Sequence, residues 1–243
     1  MEIWAHRGAS AVYPENTMIA FEEANRSGAN AIELDVQRTR DGELIVIHDE
    51  TLNRTTNGRG YIYAASYSWI KTLDAGGKFH SRFRGEKIPT LRDVLDFILQ
   101  TNMTLNIEIK NEPIRYPGIE LQVIRLLDQF KLLHRTIISS FDHLCVQIVK
   151  RSAPNVQTAL LTGAFSHISP ANVYQFGLDA VHPLKRAVNS VYMKEIFNYQ
   201  LKVRPYTVNE PNLIRVFHAL GVDAIITDHP RMARKFVNSE VKG

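Results

Sequence analysis

Three short segments of the chain repeat one plan. They read "SGANAIELD" (27–35), "FGLDAVHP" (176–183) and "LGVDAIITD" (220–228). In each, a glycine is followed by two residues, an alanine and an apolar run. Glycine takes the left-handed conformation that ends a helix without strain. Gly28, Gly177 and Gly221 therefore mark helix ends, and the apolar runs mark the strands that follow. A helix-to-strand joint that recurs from one end of the chain to the other implies a repeated βα architecture with parallel strands.

The rest of the chain fits that plan. Short Ile/Val-rich runs read as strands buried on both faces: 2–6, 31–36, 44–48, 104–110, 136–140, 157–162, 179–183, 202–208 and 224–228. Between them, segments such as 17–28, 118–133, 143–154, 191–200 and 211–221 carry apolar residues at three- and four-residue spacing, as amphipathic helices do. The count is about eight βα units, with one extra strand near the second. With a length of 243 residues, this predicts a closed (β/α)8 TIM barrel formed by residues 1–243 as one domain. An open doubly wound sheet is the alternative, weakened because no G-x-G-x-x-G follows the first strand. The segment from about 50 to 89 has no period. It reads as an insertion after the second barrel strand region, of the kind that forms lids or binding loops.

Composition narrows the partners. The chain is 44% hydrophobic and 22% charged, which excludes disorder as its main state. Basic residues number 29 against 25 acidic, a net charge of +4 that favours anionic ligands without pointing to nucleic acid. The single cysteine, Cys145, rules out an internal disulfide or a cysteine zinc site. No run approaches the roughly 18 apolar residues of a membrane span, so stable membrane insertion is not expected. The apolar strand that begins almost at Met1, with no basic leader, leads to an expectation of a cytoplasmic protein. The oligomeric state is not legible in the sequence.

Barrel enzymes work at the C-terminal ends of their strands. There the sequence puts His6 and Arg7, Glu33 and Asp35, His48 and Asp49, Glu108 and Lys110, and Asp228. Glu33 and Asp35 are two apart and share a face, as do Glu108 and Lys110. Three carboxylates crowded on one side repel each other. Ion pairing with Lys110 and Arg7 would relieve them, and so would a hard cation such as magnesium or calcium. His6 and His48 beside this cluster suggest acid–base work on an anionic substrate, and the two cations suit phosphate. Together these groups fit phosphodiester cleavage. His182, Tyr206 and Asn209 also fall at strand ends and are candidates for lining the pocket. His80, His134, His143, His167, His218 and His229 fall in loops or helices and read as non-catalytic. In "WAHRGASAVYPENT", Gly8 is expected to turn tightly beside the ligand, and Asn16 or Thr17 to cap the first helix. Glu15 could support that helix start or face the pocket.

At this point the motifs match a known family. The chain resembles the glycerophosphodiester phosphodiesterases, whose βα barrel is similar to that of phosphatidylinositol-specific phospholipase C. The match runs through "AHRG", "PENT", "AIELDVQRTRDGELIVIHDETLNRTTNGRG", "KIPTL", "NIEIK", "YTVN" and "GVDAIITDHP" in order. The resemblance implies that His6 and His48 are the catalytic pair and that Glu33, Asp35 and Glu108 hold one divalent cation, magnesium or calcium. It implies that Arg7 and Lys110 hold the phosphate and that Tyr206 packs against the substrate. It makes the 50–89 segment the family's insertion, and the substrates small glycerophosphodiesters cleaved to glycerol 3-phosphate and an alcohol. Within that reading His6 is taken as base and His48 as acid, with water or the substrate's own 2-hydroxyl as nucleophile. Two departures stand out: the family usually shows tryptophan at Tyr206, and a more neutral stretch at "GGKFHSRFRG". A phospholipase or lysophospholipase D-type enzyme and a non-catalytic phosphate-binding barrel are the competing readings.

Overall fold

In the computed structural model, which describes residues 1–163 and 169–240, Gly28, Gly177 and Gly221 stand at φ +75°, +71° and +76°. Each ends a helix and hands the chain to a strand. The first half contains β1 (Glu2–His6), α1 (Met18–Arg26), β2 (Ala31–Arg38), β3 (Leu44–Val46), α2 (Tyr67–Ile70), α3 (Leu91–Leu99), β4 (Thr104–Ile109) and α4 (Ile119–Gln129). The second contains β5 (Thr136–Ser140), α5 (His143–Ser152), β6 (Gln157–Thr162), α6 (Pro170–Gln175), β7 (Ala180–Pro183), α7 (Ser190–Asn198), β8 (Lys202–Val203), α8 (Pro211–Leu220), β9 (Ala224–Thr227) and α9 (Pro230–Glu240).

Eight strands pair in parallel in the order β8-β7-β6-β5-β4-β2-β1-β9. The extra strand expected from the sequence is β3, antiparallel to β2 with Val36 opposite Val46. Between β8 and β9 the link is made by backbone bonds from Asp223 N to Val203 O (3.0 Å), Ile226 N to Pro205 O (3.0 Å) and Val208 N to Ile226 O (2.9 Å). The result is a nearly closed α/β barrel, as predicted. The run 202–208, expected as one strand, keeps ladder geometry only at Lys202–Val203. Pro205 faces β9 and has no N–H to donate there; toward β7 the backbone bonds run on from Arg204 N to Val181 O (3.1 Å) and Tyr206 N to Pro183 O (3.0 Å), with a single bridge between Leu184 and Tyr206.

Alternation along the strands sorts the side chains. Ala5, Ile32, Leu34 and Val36 face outward and pack with Phe21, Leu95 and Val123 from the helices. Across the barrel, Ile3, Val181, Val203 and Ile225 do the same against Ile214 and Phe217. Inside, the indole of Trp4 is surrounded by Ala31, Ala159, Ala180 and Ala224, small residues that leave room for one large ring. The Arg204 guanidinium lies 4.4 Å from that ring and 3.1 Å from His182 Nε2. His182 is fully buried in this stack, so it packs the barrel interior rather than lining the pocket as its strand-end position suggested.

The aperiodic segment is an ordered cap. Between β3 and α3 it forms short turns at Ile62–Ala64 and Ser81–Phe83 and the single-turn α2. Leu52, Ile62, Ile70, Leu73 and Ile88 bury themselves against Ile45 and Ile47 of the hairpin region. Asp74 gathers the amide N–H groups of Gly76, Gly77 and Gly85 at 2.7–3.0 Å, which fixes the glycine-rich turn. Among the described residues no helix is long and apolar enough to cross a membrane.

Candidate active site

The site starts at the end of β1, where the backbone departs from ordinary geometry. Arg7 has φ +55°, a left-handed conformation unfavourable for a residue with a Cβ. That geometry lets Arg7 N donate to Glu33 Oε2 at 3.0 Å. Gly8 follows at φ +86°, and a Cβ there would lie 2.7 Å from the carbonyl carbon of Ala20. The glycine packs this turn closely on α1, next to Arg7. Asn16 is also left-handed, at φ +56°, and donates from Nδ2 to Asp35 Oδ2 at 2.8 Å. Thr17 is the N-cap residue of α1, as expected, but through its backbone: its carbonyl accepts from Ala20 N and Phe21 N, while its hydroxyl donates to Pro14 O at 2.6 Å and Asn16 serves Asp35. Glu15 neither caps the helix nor lines the cavity. It accepts from Arg7 (2.9 Å) and from both terminal nitrogens of Arg54 (2.7 and 2.8 Å).

Register brings the acidic residues together. His6 is opposite Glu33 on β2, and Asp35 is opposite Glu108 on β4. Oxygens of Glu33, Asp35 and Glu108 lie within 4.8 Å of one another, and all three residues are buried. These could hold a metal ion. Ion pairing answers part of the crowding. Lys110 Nζ lies 2.7 Å from Glu108 and 3.7 Å from Asp35, and Arg7 Nε lies 3.3 Å from Asp35. The compensation is incomplete. Asp35 Oδ1 is buried without a hydrogen-bond partner among the described residues, and no lysine or arginine there ion-pairs with Glu33. Burial, and then the charge of Asp35, raise the Glu33 pKa above the usual carboxylate range. Burial pushes Asp35 the same way, but Arg7, Lys110 and His48 outweigh it and hold that carboxyl low. The pair is split into one readily protonated and one firmly ionised group.

Each histidine has its own carboxylate. His6 Nδ1 lies 2.6 Å from Asp228 Oδ1, and Asp228 also accepts from Ser10 Oγ (2.9 Å) and Asn209 Nδ2 (2.6 Å). His48 Nδ1 lies 2.7 Å from Asp49 Oδ1, and Arg54 holds Asp49 from Nε (2.8 Å) and Nη2 (2.9 Å). Gln37 Nε2 donates to the carbonyls of His48 (2.9 Å) and Asp49 (2.6 Å), pinning the turn. In both rings a carboxylate at Nδ1 leaves Nε2 as the working nitrogen. Burial would lower the His6 pKa, but the Asp228 hydrogen bond and the Glu33 charge outweigh it and raise the net value.

A cavity of about 140 Å³ lies over these groups. His6, Arg7, Glu33, His48, Glu108 and Lys110 line its polar side; Phe141, Leu161, Tyr206 and Ile226 line its apolar side; Asn106 and Thr207 complete it. Asp35 stays behind this surface. Tyr206 presents its ring, while its hydroxyl is occupied by Thr162 O at 3.2 Å. Asn209 holds Asp228 rather than the cavity. His80, His134, His143, His218 and His229 do not line it, and His167 lies outside the described residues. Sequence reasoning missed Asn16, Arg54 and Asn106. All three sit in motifs the reading quoted, "PENT", "LNRTTNGRG" and "NIEIK", but spacing carries no signal for their tertiary contacts.

Comparison with known proteins agrees with this geometry. Residues 6–232 match the model of the glycerophosphoryl diester phosphodiesterase family. A glycerophosphodiester phosphodiesterase of Bacillus altitudinis is 40% identical over 99% of this chain and 99% of its own. Another, from Caldanaerobacter subterraneus subsp. tengcongensis, is 40% identical over 93% of each chain. Among solved structures, a phosphodiesterase of Oleispira antarctica in complex with its product sn-glycerol-3-phosphate superposes with a TM-score of 0.87. It is 26% identical, with 98% of this chain and 97% of that one covered. A glycerophosphodiester phosphodiesterase of Agrobacterium tumefaciens gives a TM-score of 0.85 at 29% identity, with 97% and 99% covered.

Proposed function

The chain belongs to the glycerophosphoryl diester phosphodiesterase family, and from that premise we propose that it hydrolyses glycerophosphodiesters to glycerol 3-phosphate and an alcohol. In this reading residues 1–243 work as a single barrel domain. Glu33, Asp35 and Glu108 hold one divalent cation, magnesium or calcium. The donor set fits a hard ion: three oxygens within 4.8 Å, a buried Asp35 Oδ1 that accepts no hydrogen bond among the described residues, and a Glu33 carboxyl that a positive charge would ionise. When bound, such an ion supplies Lewis-acid polarisation of the phosphoryl group and charge neutralisation.

The protein's own groups do the rest. Arg7 and Lys110 present fixed positive charge at the cavity wall, where the diester's anionic oxygens would lie. Their carboxylate partners keep both side chains in place before substrate arrives. His6 takes a proton from the nucleophile, and His48 returns one to the departing alkoxide. Asp228 and Asp49 stabilise the imidazolium forms and hold Nε2 toward the cavity. The apolar wall of Phe141, Leu161, Tyr206 and Ile226 excludes water from the carbon skeleton.

The observation that carries this reading is the convergence of two histidine–carboxylate pairs and a buried carboxylate triad on one cavity. The roles are tested with two substrates, glycerophosphocholine and glycerol p-nitrophenyl phosphate. His6→Ala lowers turnover of both by on the order of a hundred- to ten-thousand-fold. His48→Ala does so for the choline ester but not for the nitrophenyl ester, whose leaving group needs no proton. Near-wild-type turnover of glycerophosphocholine by either variant would sink the two-histidine assignment.

A further inference from the structure

Asn106 has no part in the scheme above, yet its amide is arranged for a ligand. It lines the cavity, is 1% exposed, and its Oδ1 has no hydrogen-bond partner among the described residues. The amide orientation follows from its neighbour. Ser139 Oγ donates to Ile107 O at 3.5 Å, so toward Asn106 it can only accept. Asn106 Nδ2 supplies that bond at 3.1 Å, which leaves the carbonyl oxygen as the free end. Ser139 does not line the cavity; Asn106 does. A buried carbonyl kept without a partner costs stability, and such a group is retained where a ligand completes it.

Depth identifies the ligand group. Asn106, Glu108 and Lys110 follow one another inward-facing along β4 and just past its end. At about 3.3 Å per residue, Asn106 lies about 6–7 Å deeper than Glu108. The cations at the mouth hold the phosphate, so whatever reaches Asn106 is the far end of the half that stays in the pocket. On its way it passes the apolar side chains of Leu161 and Ile226. An acceptor at the bottom of such a slot calls for a hydroxyl donor. Resting on the hydrolase reading above, we infer that Asn106 Oδ1 accepts a hydrogen bond from the terminal hydroxyl of the glycerol half and so selects a polyol phosphate over its deoxy counterpart.

The test is calorimetric binding of glycerol 3-phosphate and of 1,2-propanediol 1-phosphate, which lacks that hydroxyl. Magnesium and calcium are present throughout, and glycerophosphocholine turnover is measured in parallel. Wild type favours glycerol 3-phosphate by on the order of ten- to a hundred-fold, the consequence of leaving a buried acceptor unmet. In Asn106→Leu the ratio falls to near one. The melting temperature does not fall, because Ser139 keeps its bond to Ile107 O. A residue with a merely structural role would lower stability and leave the ratio alone. A wild-type ratio near one, no binding of either ligand, or an unchanged ratio in Asn106→Leu overturns the inference. Binding with the predicted ratio but no turnover would condemn the hydrolase reading alone. Should Asn106→Leu not fold, Ser139→Ala frees the amide to rotate and lowers the ratio part way. An unchanged ratio in that variant also overturns the inference.

Discussion

Arg7 and Asn16 both hold left-handed backbone conformations, and each directs a hydrogen bond onto a carboxylate of the triad. Asparagine tolerates that region; arginine does so at a cost of order 1 kcal/mol or more. The surrounding contacts impose it: Asn16 N donates to Arg7 O at 3.0 Å, and Gly8 lets the turn sit against α1. Gly8→Ala therefore meets two penalties, a positive φ and a backbone clash that no side-chain rotation relieves. We expect a loss of about 2–4 kcal/mol in denaturant unfolding, the sum of the conformational and overpacking costs. A loss below about 1 kcal/mol would mean that α1 shifts freely and that the turn is not pinned.

Among the elements, one carboxylate of α1 reaches α9. Glu23 accepts from Arg231 Nη2 (2.5 Å), Ser27 Oγ (3.1 Å) and Arg26 Nε (3.2 Å). Burial works against ionisation, but these bonds outweigh it and lower the Glu23 pKa. A group with a depressed folded value contributes stability that is present above its unfolded pKa, about 4.3, and is lost as pH falls through the folded value. The melting-temperature gap between wild type and Glu23→Gln should thus be full at neutral pH and close on acidification. A gap that stays constant with pH would show that Glu23 acts by shape alone. The insertion works at the same scale. Arg54, carried on it, ties Asp49 to Glu15 and so joins the His48 turn to the Arg7 turn. Its aperiodic sequence hid this because a small apolar core and a glycine turn gathered by Asp74 leave no repeating pattern.

For the whole molecule, a cation held by the buried triad, as proposed above, would couple its binding to folding. The strands that carry Glu33, Asp35 and Glu108 are central in the sheet, so an ion held there stabilises the barrel rather than a loop. A cation at a hundredfold excess over its Kd adds about 2.7 kcal/mol. In a chain of this size that raises the melting temperature by about 5–10 °C. Magnesium or calcium added to chelator-stripped protein should produce this rise, and Glu33→Gln should abolish most of it. Equal melting temperatures with and without either ion would remove the cation from the site.

Much of this was legible in the linear chain because it follows from local chemistry. Glycine's left-handed freedom marks the helix ends, and apolar runs mark the buried strands. The two-residue period puts Glu33 with Asp35 and Glu108 with Lys110 on common faces. Those regularities determined the barrel and the residues at its mouth. What only the tertiary structure decided is which neighbour each polar group meets: Asp228 for His6, Asp49 for His48, Asn16 for Asp35, and the interior stack of Trp4 and Arg204 for His182. Pro205 removes a backbone donor on the side that faces β9, at the point where the barrel closes. Hydrogen bonds between residues dozens to hundreds of positions apart depend on barrel register and closure, and no local spacing encodes them.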